Sequence, residues 1–150
     1  MGKTRVVKPS EEALLKEREK VEERISKGKA IAIKKKAKKG RVYIKSTYNN
    51  TMITLTDDKG DVIFWSSAGK VGFKGTKKGT PFAATKVAEA VSAVINKIGM
   101  EEVKVFVKGI GKGRESALRG LSHRGVNIVS IKDVTPIPHN GTKPPNPRRV

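Results

Sequence analysis

A mixed α/β fold is what this sequence predicts, on three observations: period-two alternation broken by turn residues between 41 and 66, a capped helical pattern at 80–99, and a strand-helix-strand succession at 102–134. Val42, Ile44 and Ser46 alternate with Tyr43, Lys45 and Thr47, Asn49-Asn50 supplies a turn, and a β-branched run at 51–56 makes the second strand. Asp57-Asp58-Lys59-Gly60 turns the chain into a third strand at 61–66, which completes an antiparallel meander. Thr80 caps a helix with Pro81 at its first position, and Gly99 closes it. Ala84, Val87, Ala88, Val91, Val94, Ile95 and Ile98 share one face of that helix and cover the sheet. A fourth strand at 102–108, a helix at 114–124 and a fifth strand at 125–134 give the order βββαβαβ. Helical crossovers make parallel strands, so the five-stranded sheet should be mixed, with the meander beside a βαβ unit and helices packed on it.

Of 150 residues, 36% are hydrophobic and 15 are glycine, enough for one compact domain. The absence of cysteine removes disulfides, thiol catalysis and Cys-ligated metal, and two histidines leave little for a histidine metal site. The first residues carry charge without an apolar core, and no run approaches the ~18 apolar residues of a membrane span. A reducing, cytoplasmic setting without membrane contact is therefore expected.

Lys and Arg number 33 against 14 acids, a net charge of +19. Self-repulsion on that scale calls for a polyanionic partner. Charge is densest at the ends, which divides the chain into a basic extension at 1–40, a globular domain at 41–135 and an extended, proline-rich tail at 136–150. Within the extension, Ser10 followed by Glu11-Glu12 starts a helix that runs over 11–27. Its apolar set, Leu14, Leu15, Val21 and Ile25, is a thin stripe that either faces solvent, the favoured reading, or lies on a partner protein. Lys35, Lys36, Lys38 and Lys39 belong to an acid-free arm that orders along a polyanion.

Two loops have the composition of phosphate cradles. In the first, Lys70, Lys74, Lys77 and Lys78 are interleaved with four glycines and lead to Thr80 at a helix start. The second, 109–114, places Lys112 and Arg114 at the start of the next helix. Neither is a Walker A loop, and Arg114 stands where a dinucleotide fingerprint needs glycine. Arg119 falls opposite the core face of its helix and reaches outward, and Glu115 is read as orienting Arg114. Phe73 is expected to anchor the first loop. The aspartates at 57, 58 and 61 read as a solvated turn, and no catalytic set is present.

Four strings, STYNNTMITLTD at 46–57, SAGKVGFKGTKKGTPFAA at 67–84, VKGIGKGRESALRGL at 107–121 and DVTPIPHNGTKPP at 133–145, resemble in order and spacing the bacterial-type small-subunit ribosomal protein S-eleven family. The resemblance covers residues 41–150. It implies a ribonuclease-H-like topology without nuclease carboxylates and a structural place on the small-subunit platform. It also implies binding of small-subunit ribosomal RNA near the messenger exit and Shine-Dalgarno region, with proteins S-six, S-eighteen and S-seven as neighbours and no cofactor. The family's RNA-contacting regions fall on Asn49 and Asn50, the lysines of 70–78, the segment from Lys112 to Arg119, and the tail with His139, Asn140, Lys143, Arg148 and Arg149. Asn146-Pro147, Thr142 and Ile110 depart from the family's usual residues, and the helix at 11–27 lies outside the resemblance. A ribonuclease-H-like nuclease or a DNA-architectural protein are the competing readings. The first needs acids converging at strand ends to hold metal, and the second shares only the charge.

Overall fold

The computed structural model describes residues 37–143, 145 and 146, together with the helical positions 15, 19–21 and 23. The rest of the helix expected at 11–27, along with Lys35, Lys36, Arg148 and Arg149, lies outside the described residues. Of the apolar stripe, Leu15 is exposed, while Val21 is buried, so the expectation of a fully solvated stripe is corrected at that position.

Five strands form one sheet: β1 Lys39–Ser46, β2 Thr51–Asp57, β3 Val62–Ser67, β4 Glu102–Lys108 and β5 Ile128–Asp133. Their order is β3-β2-β1-β4-β5, antiparallel across β3-β2-β1 and parallel across β1-β4-β5. This is the mixed α/β architecture expected from the alternation pattern. The first strand begins two residues earlier than predicted, because Lys39 and Gly40 pair with Glu102 and Val103. β5 begins three residues later than predicted: Gly125 adopts φ 74 just after the preceding helix, and Asn127 precedes the ladder.

Helix α2, Pro81–Ile98, has the predicted ends. Thr80 Oγ1 accepts from Ala83 N at 3.2 Å, and Gly99, in the left-handed region, closes the last turn. Helix α3, Gly113–His123, lies beside it. The pair packs closely because small residues meet, Ala84 and Ala88 of α2 against Gly113 and Gly120 of α3. Between β3 and α2 the sequence reading placed an irregular loop. The structure corrects this with a single turn, α1 Ala68–Val71, capped by Ser67, and a 3-10 turn, Gly75–Gly79.

Both long helices cover one face. Val42, Ile44, Ile53, Leu55, Val103 and Val105 point into that core and are at most 1% exposed. Packing of this kind contributes roughly 1.5–3 kcal/mol per large aliphatic side chain. Among the described residues, α2 and α3 leave the other face of the sheet uncovered, and Trp65 and Met52 of that face are exposed.

Candidate nucleic-acid interface

Strand polarity puts the C-terminal ends of β1, β3, β4 and β5 at one end of the sheet, with the β1–β2 turn and the N-termini of α2 and α3. Helix N-termini carry partial positive charge, so two dipoles add to the lysines of the loops. The loops are locked together at short range. Gly111 N donates to Ser46 O at 3.1 Å, and a Cβ at Gly79 would lie 2.2 Å from Tyr48 O. The β1–β2 turn is closed by Thr47 N to Asn50 O, 2.9 Å, and by Asn50 N to Thr47 Oγ1, 3.2 Å.

Most of the anticipated residues converge on this end. Asn49, Lys74, Lys77 and Lys112 are exposed there, and Asn50 and Lys78 are half-buried. Lys70 turns back on the sheet edge: its Nζ donates to Trp65 O at 3.1 Å and lies 4.5 Å from the centre of the Trp65 ring. Thr80 is engaged as the helix cap, its hydroxyl donating to Lys77 O at 2.7 Å. His139, Asn140 and Lys143 lie exposed on the tail that leaves β5 at the same end. Arg119 is further along α3, exposed and paired with Glu115 at 3.5 Å. Lys38 and Lys39 are not brought to this end. Lys38 precedes β1 and Lys39 begins it at the opposite end of the sheet, where Lys39 pairs with Glu102 at 3.0 Å, the hydrogen bond that raises the lysine's pKa.

Arg114 has a different partner from the one expected. Glu115 pairs with Arg119, and the Arg114 guanidinium instead donates to Gly109 O at 2.7 Å, to Thr135 Oγ1 at 3.3 Å and to the Asp133 carboxylate. Asp133 Oδ1 also accepts from Thr135 N at 2.9 Å and from Thr135 Oγ1 at 2.7 Å. This knot ties the 109–114 loop to the start of the tail. The hydrogen bond from Arg114, then those from Thr135, holds the Asp133 carboxyl well below its usual 3.8. Sequence reasoning missed Asp133 and Thr135, whose roles depend on the β4–β5 pairing. It also passed over Tyr48, 72% exposed beside Asn49, although an aromatic next to an Asn-Asn turn is a readable signal.

Phe73 anchors its loop, edge-on to Phe82 with ring centres 5.9 Å apart. Asp57 Oδ1 accepts from the backbone N–H groups of Lys59, Gly60 and Asp61, so the aspartate cluster shapes a turn. Among the described residues no group of His, Asp and Glu is placed to hold a metal ion, and no helix is long and apolar enough to cross a membrane.

Beneath the loops, Ser46 Oγ and Thr51 Oγ1 are buried without a protein hydrogen-bond partner. An unpaired buried hydroxyl costs roughly 1–3 kcal/mol. Thr51→Val keeps the shape and is expected to raise stability by about 1 kcal/mol in thermal melts. A loss of the same size would show that the hydroxyl is bonded, for example to an ordered water.

Fold and site together define a basic α/β scaffold that presents cationic loops and a tail from one end of a mixed sheet. The family described as ribosomal protein S11 matches residues 40–149 of the chain. A small ribosomal subunit protein uS11c from Cyanidioschyzon merolae is 56% identical over 117 residues, 78% of this chain and 97% of that protein. Proteins named small ribosomal subunit protein uS11 from Endomicrobium trichonymphae and Flavobacterium psychrophilum are 53% and 55% identical over 110 and 111 residues, or 73% and 74% of this chain and 84% and 87% of theirs. The chain belongs to the ribosomal protein S11 family: it is a structural constituent of the small ribosomal subunit and not an enzyme.

Proposed function

We propose that this protein binds small-subunit ribosomal RNA through the loop-bearing end of its sheet and through its tail. In cytoplasmic ribosomes it would help to build the subunit platform, near the messenger exit and Shine-Dalgarno region and beside proteins S-six, S-eighteen and S-seven. One observation carries this reading. Two loops rich in lysine and glycine, the Asn49-Asn50 turn, two helix N-termini and a proline-rich tail converge on one end of the domain. Asp133 and Glu115, the acids at that end among the described residues, are each neutralised by an arginine. Phosphates supply most of the affinity of such an interface, and RNA shape supplies its selectivity.

Contact with about eight phosphates predicts a slope near −6 to −7 for log affinity against log salt. Binding of the full chain to a platform rRNA fragment, measured over a salt series beside an unrelated RNA of equal length, tests both terms. A flat salt response or equal affinity for the two RNAs overturns the proposal.

A further inference from the structure

The face of the sheet turned away from α2 and α3 has a composition that the loops do not share. The registers align Trp65, Thr54, Tyr43, Phe106 and Lys132 in one row across all five strands. Tyr43 and Phe106 stack with ring centres 5.0 Å apart and planes 16° from parallel. Trp65 is 46% exposed, and neighbouring Met52 is 37% exposed. Around the row stand Arg41, Lys45, Lys104 and Lys108, so with Lys132 the three adjacent strands β1, β4 and β5 contribute five cations. Among the described residues, Lys45, Lys104, Lys108 and Lys132 have no acidic partner, and the one acid on these strand positions, Glu102, sits at the rim against Lys39.

We infer that this open face is a second RNA site, a platform on which a single-stranded segment stacks its bases on Tyr43, Phe106 and Trp65 while its phosphates meet Lys45, Lys104, Lys108 and Lys132. The charge decides the occupant: a protein surface offers no regular array of anions to match unpaired lysines spread over three adjacent strands, and a polynucleotide does. Aromatic rings interleaved with cations are the arrangement that binds single strands without base-pair geometry. The face is also continuous with the loop end, because Lys45 and Lys108 are neighbours in the row nearest the loops and Lys70 reaches from the first loop onto the Trp65 ring. One strand can therefore run from the loops onto the sheet. The inference rests on the RNA-binding reading above and adds a surface and a substrate form to it.

Trp65 is the only tryptophan in the chain, so its emission reports on this face and on Lys70 of the first loop, which lies over the ring. The full chain is titrated with an unstructured oligoadenylate, following Trp65 fluorescence and, in parallel, anisotropy of the labelled RNA. Quenching of Trp65 with the same midpoint as the anisotropy is expected. The exposed double variant Lys104→Ser/Lys132→Ser should bind about tenfold more weakly and flatten the salt slope by about 1.4, two single-strand phosphate contacts. Tyr43→Ala should also weaken binding, and the lysine variant keeps the test meaningful if that one folds poorly. Binding that leaves Trp65 emission and the lysine variant's affinity unchanged overturns the platform while the loop-end reading stands. Failure to bind the rRNA fragment as well defeats both. Cross-linking in assembled subunits that joins the Trp65 peptide to a protein instead of RNA also overturns the platform.

Discussion

Gly109→Ala is expected to lower stability by about 3 kcal/mol or more, a drop in Tm on the order of 15 °C. Two separate costs add. Gly109 has φ 101, where L residues are strained by roughly 1–3 kcal/mol. A Cβ there would also lie 2.0 Å from Ser46 O, a backbone atom of the central strand that cannot move without disturbing the β1–β4 ladder. Gly60 isolates the first cost, since its φ of 104 is nearly the same and nothing lies within 4 Å of its Cβ position. Gly60→Ala should therefore cost about 1–2 kcal/mol. Equal melting losses for the two variants would show that the close approach to Ser46 carries no weight. If the approach holds the loop in place, Gly109→Ala loses RNA affinity as well as stability, and Gly60→Ala, at the far end of the sheet, loses stability alone.

Arg114→Ala is expected to reduce affinity for the platform rRNA fragment by about tenfold or more. The side chain holds the 109–114 loop and the beginning of the tail in one arrangement through Gly109 O, Thr135 Oγ1 and Asp133. Without it, Lys112, His139 and Lys143 must be ordered on binding, at roughly 0.5–1.5 kcal/mol for each side chain. Arg114→Lys should recover little, because a single ammonium nitrogen cannot reach the acceptors that Arg114 serves from two separate guanidinium nitrogens. Unchanged affinity in Arg114→Ala would reduce the knot to a local feature of stability.

The same knot sets an acid limit. Asp133 has a folded-state pKa below its usual 3.8, so its charged form contributes stability that is complete above that value and is lost as the pH falls further, towards the folded-state value. The melting difference between the wild type and Asp133→Asn should be constant near neutrality and shrink below about pH 4. A difference that grew on acidification would reverse the sign of the linkage.

Most of the loop-end site was legible in the sequence, because glycine-spaced lysines, an Asn-Asn turn and the Thr80-Pro81 cap are chemical signals confined to a few adjacent residues. The same locality explains the errors. Adjacency in sequence pairs Glu115 with Arg114, but on a helix the neighbour in space is four residues away, at Arg119. Composition groups Lys39 with the free lysines of the basic arm, whereas it is the first residue of β1 and is held by Glu102.

Period, caps and turn residues were sufficient for the elements and their order, since each depends on interactions within a few positions along the chain. The open face could not be read that way. Tyr43, Trp65 and Phe106 are far apart in sequence, and only the registers of β3 on β2, β2 on β1 and β1 on β4 set them in one row. Those registers are fixed by burying Val42, Ile44, Ile53, Leu55 and Val105 beneath two helices. A slip of one residue would expose that core, and so packing on one side of the sheet decides what the other side presents.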